Sequence, residues 1–209
     1  VDKLDRVLIS PSNMAEMIRT SGKTKLFSHL LDRFSAPFYS STLTSSHLQL
    51  TGIRDSVFEK RYYSARSQGG RLDTDPYGAK VSENLILDYD PGWNRYYPEG
   101  QQLYTDMGAM FVPSDEVLEK YFMEAYAKKE NTKENLVYNT DQIPIRIIQP
   151  FVQNLMKSSF INSVPSKYIT IMNDAKDPMF GNIEGGVDGF RATIDTTLLA
   201  NNGAVYIMN

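Results

Sequence analysis

Residues 107–122 read MGAMFVPSDEVLEKYF, a short apolar run that breaks at a Pro-Ser-Asp-Glu corner and resumes with helical spacing. Met110, Phe111 and Val112 suit a strand passing through a core, while Pro113 stiffens the exit and supplies no N–H. Ser114 is expected to cap the helix that follows, with Asp115 and Glu116 favouring its positive end. Beyond the corner Val117, Leu118, Tyr121, Phe122 and Ala125 share one side, and Glu119, Lys120, Glu124 and Lys128 the other, which predicts an amphipathic helix. Every residue of the corner has a structural task, and none of these tasks is a reaction.

Upstream, SNMAEMIRTSG predicts a first helix: Asn13 caps, Glu16 stands three residues on as in a capping box, Met14, Met17 and Ile18 form an apolar face, and Gly22 stops it. In TKLFSHLLDRF, Phe27, Leu30, Leu31 and Phe34 recur at i, i+3, i+4 and i+7, so a second helix commits one face to a core until Ala36-Pro37. His29 falls off that stripe and reads as a polar surface residue. Downstream, AKKENTKEN is a solvated connection. QIPIRIIQPFVQNLMKSS then places Ile147, Ile148, Phe151, Val152, Leu155 and Met156 on a helical face, with a start expected close to Pro150. KYITIMN, GFRATID and GAVYIM read as strands bounded by turn clusters. In the last of them neither face is polar, which predicts an interior strand, and Asn202-Gly203 is expected to form the turn before it.

Residues 51–107 differ in texture. SVFEKRYYSA and NLILDYD are strand-like, and the segments between and after them are dense in Gly, Pro, Asp and aromatic residues, so the region reads as a hairpin-rich insertion of about 51–107. Alternation sets Val57, Glu59, Arg61 and Tyr63 on one face and Phe58, Lys60 and Tyr62 on the other, so that one aromatic would be buried and another displayed. Early helices, late strands and one strand before the middle helix predict an α+β fold.

The 209 residues are enough to bury a substantial core, and 41% hydrophobic with 22% charged residues is a globular composition. A formal charge of -3 and a pI near 5.5 give no general attraction to phosphate backbones, so nucleic acid is not an expected partner. The absence of cysteine excludes disulfides and thiolate metal sites without fixing a compartment. No apolar stretch approaches the roughly 20 residues that span a bilayer. The sequence begins at Val1 and stops within a strand-like pattern, as expected of a mature or trimmed piece of something longer, which leaves room for the removal of an export signal.

The stretch AMFVPSDEVLEKYF resembles the first signature of the fasciclin (FAS1) family: an apolar strand, Pro, Ser or Thr, Asp or Asn, Glu, then a helix. LLANNGAVYIMN, residues 198–209, resembles the second, an Asn-Gly turn leading into a short apolar strand. The order of helix, connector and strand between them, and the leading helices, are similar as well, so the resemblance covers about 12–50 and 108–209. Phe111, Pro113, Ser114, Asp115, Asn202 and Gly203 carry its motifs. It implies a single FAS1-like domain, a compact β core flanked by helices, acting in adhesion outside the cytoplasm. Family members often carry a Tyr-His pair in the middle helix, tied to packing and, in animals, to integrin adhesion. Gln153-Asn154 stands there in this chain, and there is no Arg-Gly-Asp, so integrin binding does not carry over.

No catalytic set is legible. Only His29 and His47 could serve as imidazole bases, and neither sits in a nucleophile elbow. The pairs Asp73/Asp75 and Asp88/Asp90 could act as acid and base or hold calcium, but Asp among Gly and Pro is ordinarily a turn former, and neither segment has a full calcium loop. No cofactor or metal is therefore expected. Trp93, Arg95, Tyr96 and Tyr97, with Tyr62, Tyr63 and Tyr77 upstream, are the cluster suited to stacking on sugar rings or anchoring a protein, against the alternative that they form the insertion's own small core; Trp93, Arg95, Tyr96, Tyr97 and Tyr63 are the candidates. The expected role is a non-enzymatic domain of a bacterial cell-surface or periplasmic protein, with any lipid anchor outside the chain. Its expected partner is a protein or the extracellular matrix; the second reading is a carbohydrate-binding component of a glycan-uptake system.

Overall fold

The computed structural model describes residues 12–67, 69–93, 108–126, 142–159, 172, 176, 179 and 186–209. The fold is α+β. In chain order its elements are α1 (Met14–Thr20), α2 (Lys25–Asp32), β1 (Ser35–Tyr39), α3 (Ser41–Thr51), β2 (Phe58–Tyr62), β3 (Ser64–Ser67), β4 (Gly70–Leu72), a 3-10 turn at Glu83–Leu85, β5 (Gly108–Pro113), α4 (Asp115–Tyr126), α5 (Ile145–Asn154), β6 (Met156–Lys157), α6 (Gly186–Thr193), β7 (Ile194–Ala200) and β8 (Gly203–Met208).

The central sheet runs β6-β5-β8-β7. β5 and β8 pair in parallel from Gly108↔Gly203 to Pro113↔Met208, so the two motif-bearing stretches lie side by side. Both strands are buried on both faces, and alternation divides their side chains between two cores. Met110, Val112, Val205 and Ile207 join α1, α2, Leu118 and Phe122 of α4, and Ile148 and Val152 of α5. Ala109, Phe111, Ala204, Tyr206 and Met208 meet Phe190 of α6 on the opposite side. There the Phe111 and Tyr206 rings stack at 4.9 Å, with Phe190 edge-on to Phe111 at 6.2 Å. β8 is the interior strand that its apolar pattern predicts.

Glycine is required at the start of the parallel pair. Gly203 has φ +151, and a Cβ there would stand 2.1 Å from the Gly108 carbonyl oxygen and 2.9 Å from Met14 Sδ. The turn before it consists of Asn201 and Asn202, and neither adopts a positive φ. Asn202 contributes through its side chain instead. Fully buried, its Oδ1 accepts from Met14 N at 2.8 Å, and its Nδ2 donates to Pro91 O at 2.8 Å and Trp93 O at 3.0 Å. Asn13 caps α1 as expected, accepting from Glu16 N at 2.9 Å.

The Pro-Ser-Asp-Glu corner starts a helix, but not through Ser114. The hydroxyl of Ser114 is buried and has no hydrogen-bond partner among the described residues, while its backbone N donates to Met208 O at 2.9 Å and its carbonyl accepts from Leu118 N at 3.0 Å. The side chain that caps is Asp115, and it caps a different helix: its carboxylate accepts from Lys25 N at 3.1 Å and Leu26 N at 2.8 Å. Thr24, the residue ahead of α2, makes no side-chain cap, so the free amides of α2 are satisfied from ninety positions away in the chain.

Other expectations shift for identifiable reasons. α5 begins after Pro144 and carries Pro150 inside it, rather than starting near Pro150. GFRATID is not a strand: α6 occupies most of it, setting Phe190 against Phe111, and β7 starts at Ile194. β2 pairs with β1, outside the region expected to form its own hairpins, and residues 51–107 also send Tyr62, Leu87 and Tyr89 into the main core. Tyr62 and Tyr63 are both buried, because β2 ends at Tyr62 and alternation restarts with β3. Most of KYITIMN, and all of AKKENTKEN, lie outside the described residues. No helix among the described residues is long and apolar enough to cross a membrane.

Two substitution results should follow. Asn202→Ala strands Met14 N and Trp93 O in the interior and should lower the unfolding free energy by about 2–4 kcal/mol in urea titrations. Asp115→Ala should lower it by about 1 kcal/mol, whereas Ser114→Ala should stay within about 0.5 kcal/mol of the parent or exceed it; equal losses at both positions would return the capping role to Ser114.

Candidate binding cleft

The cleft is built on the turn at residues 90–93, which the core holds from below. Pro91 O accepts from Asn202 Nδ2 and also from Ala15 N at 3.1 Å, Gly92 O accepts from Asn13 Nδ2 at 3.2 Å, and Trp93 O accepts from Asn202 Nδ2. Gly92 packs directly on Tyr62: a Cβ added there would lie 3.1 Å from the ring. Trp93 is half-buried at the end of this turn, its backbone fixed by groups that belong to the fold.

Facing the turn are β2 and the entry to α3. A cavity of about 520 Å³ is lined by Asn13, Ser40, Thr42, Leu43, Glu59, Lys60, Arg61, Asp90, Gly92 and Trp93. The volume lies within the ~300–1,000 Å³ common for small-molecule sites, but the lining is unusually polar for one. A smaller cavity of about 180 Å³ adjoins it, reaching Ala15, Glu16, Arg19 and Tyr62.

Charges in the cleft are mostly engaged. Lys60 Nζ stands 2.8 Å from Asp32 Oδ1, and the Arg61 guanidinium lies over the Phe38 ring at 5.5 Å. Asp90 is 4% exposed, accepting from Ser67 Oγ at 2.9 Å and Gly92 N at 2.8 Å. Burial raises its pKa above the ordinary 3.8, opposed by those two hydrogen bonds and by the positive charge of Arg61. Burial likewise pushes the Tyr62 phenol well up, helped by the Asp32 and Asp90 carboxylates, so this hydroxyl stays protonated and faces Asp32 Oδ1 at 3.4 Å.

Of the candidate residues, Trp93 lines the cleft. Arg95, Tyr96 and Tyr97 lie outside the described residues. Tyr63 does not present its ring: at 6% exposure it packs edge-on against Phe38 at 6.3 Å and clusters with Leu72 and Ile86 beneath the β3–β4 hairpin. The aspartates act as acceptors within the chain. Asp73 pairs with Arg71 at 3.2 Å, and Asp75 Oδ1 takes the amides of Tyr77 at 2.9 Å and Ala79 at 2.8 Å, the turn-forming role expected of Asp beside Gly and Pro. Asp88 accepts from Gln153 Nε2 at 3.1 Å, so Gln153 helps bind α5 to residues 86–88. Among the described residues no group of three His, Asp or Glu side chains could hold a metal ion. His29 is exposed on α2, and neither it nor His47 lines either cavity.

Sequence reading reached Trp93 but not its companions. Asn13 read as a cap, which it is, and nothing local showed that its amide nitrogen would donate to Gly92 O. Glu59, Lys60 and Arg61 read as an ordinary alternating strand.

A carboxyl with a raised folded-state pKa favours the fold fully below its unfolded value and loses that contribution as pH rises through the folded one. Asp90→Asn should therefore gain stability relative to the parent as pH is taken upward from 3.8, measured by urea unfolding across the acid range. A mutant that falls further behind the parent as pH rises would show that the cleft depends on the carboxylate charge. In comparisons with protein-family models, curated proteins and solved structures, nothing matches this chain.

Proposed function

We propose that this chain is a non-enzymatic, fasciclin-like recognition domain of a bacterial surface or periplasmic protein, and that the cleft beside Trp93 binds carbohydrate. The observation that carries the carbohydrate reading is Trp93, half-buried on a rigid turn, lining a polar cavity together with Asn13, Ser40, Thr42, Glu59 and Lys60. An aromatic face with hydrogen-bonding groups around it suits a sugar ring, apolar on its C–H faces and polar at its rim. The fasciclin resemblance is supported by the convergence of its two signatures on adjacent strands, and the extracytoplasmic placement follows from that resemblance. The non-enzymatic reading is supported by the engagement of both Asp90 oxygens and by a cleft lining that includes neither histidine.

A protein or matrix partner is the second reading, favoured by an apolar surface next to the cleft. Tyr39 and Phe58, each 56% exposed, meet edge-on at 6.0 Å, and Leu43, 42% exposed, lines the cleft. Glycan and matrix-protein arrays probed with the parent, Trp93→Ala and Phe58→Ala distinguish the two. Carbohydrate binding that falls about 30-fold in Trp93→Ala, the ~2 kcal/mol of an aromatic hot spot, is the expected result. Capture of a matrix protein that survives Trp93→Ala and is lost in Phe58→Ala would transfer the function to the apolar surface.

A further inference from the structure

The β1–β2 pair has two edges, and only one of them is guarded. Ser40 N donates to Val57 O at 2.9 Å and Tyr63 N to Phe34 O at 2.8 Å, which fixes the phase of the antiparallel ladder. Bonded and non-bonded pairs alternate along it, so Ala36 with Arg61 and Phe38 with Glu59 are the bonded ones between. The main-chain groups of Phe58, Lys60 and Tyr62 therefore point outward from β2, and those of Ser35, Pro37 and Tyr39 outward from β1. On β1 the middle outward position is Pro37, which has no N–H to offer an added strand. β2 has no such break. No hydrogen bond among the described residues reaches the main chain of Phe58 or Lys60 from that side. Lysine ordinarily discourages edge pairing, but the Lys60 charge is held 2.8 Å from Asp32 Oδ1.

This open edge faces a cleft rather than a free rim. The Tyr62 amide, last of the outward row, turns toward the Asp90 carboxylate, and Glu59, Lys60 and Arg61 all line the cavity of about 520 Å³ that the turn at residues 90–93 closes. A second copy of β2 would bring its own β1 to the side where that turn stands, whereas a single extended chain needs only one strand spacing of about 4.8 Å. Side chains define what the chain would carry. Phe58 shares its face with Tyr39, and Glu59, exposed on the other face, has no ion-pair partner among the described residues.

Resting on the protein-partner reading above and deepening it, we infer that the outer edge of β2 takes an extended segment of a partner protein as an added antiparallel strand, with an apolar residue beside Phe58 and a Lys or Arg beside Glu59. Bonded pairs opposite Phe58 and Lys60 supply the main-chain hydrogen bonds, and the cross-strand neighbours supply the selectivity. The Asp90 carboxylate at the Tyr62 amide ends the row, so the guest strand is short.

End-capped seven-residue peptides test this, with Val at the odd positions, Thr at the second and sixth, and Lys or Glu at the centre, titrated into the isotope-labelled chain. The Lys-centred peptide should bind about fivefold tighter than the Glu-centred one, and Glu59→Lys should reverse that order. On saturation the Phe58 and Lys60 amides should gain protection from hydrogen exchange. N-methylation of the third or fifth peptide residue should abolish binding, whereas N-methylation of the central one, whose N–H points away from β2, should weaken it far less. Equal loss at all three positions, or unchanged exchange at Phe58 and Lys60, would overturn the added strand even where a peptide binds. If no peptide binds, the added strand is overturned as well; capture of a matrix protein that is lost in Phe58→Ala would then keep the protein reading without it, and the absence of both would remove that reading.

Discussion

The fold and the cleft both depend on one buried amide. Asn202 sits at the turn between the last two strands with no exposure to solvent, and its three hydrogen bonds reach the start of α1 and two carbonyls of the turn at residues 90–93. A buried amide left unsatisfied costs about 1–3 kcal/mol, so this arrangement is tolerated only because every partner is in place. Each partner is backbone. The side chain therefore acts as a pin through three segments that are remote in sequence, and Trp93 is held by the group that closes the sheet.

Legibility in the sequence followed the range of the forces involved. α1 and α2 were readable because caps and apolar spacing act within a turn or two, and β5 and β8 because a strand buried on both faces shows as an unbroken apolar run. Ser114 misled because its residue type favours capping the helix that follows, whereas the packing of α4 against α2 gave Asp115 two amides of another helix to satisfy. α3 left only its end signals, the capping Ser40 and the left-handed Gly52: it has no buried residue, its apolar side chains are scattered, and it contains no Asp, Glu, Lys or Arg. GFRATID carries β-branched and aromatic residues suited to a strand, but tertiary packing against Phe111 prevails over that preference.

The cleft was illegible for a related reason. Its residues come from the α1 cap, the entry to α3, strand β2 and the turn at 90–93, and each has an ordinary local explanation. Only tertiary placement makes Asn13, Lys60 and Trp93 neighbours. Asp90 shows the same duality: locally it shapes a turn, and in three dimensions it is a buried carboxyl whose negative charge makes ionisation of the Tyr62 phenol less favourable.

The parallel pairing of β5 with β8 has a kinetic consequence. Hydrophobic contacts on both sides of the sheet require a strand that lies at the far end of the chain order, and a parallel partner cannot be reached through a tight reversal. During synthesis the earlier helices must wait with their apolar stripes uncovered until that segment emerges, so the chain passes through an interval in which a chaperone has most to grip.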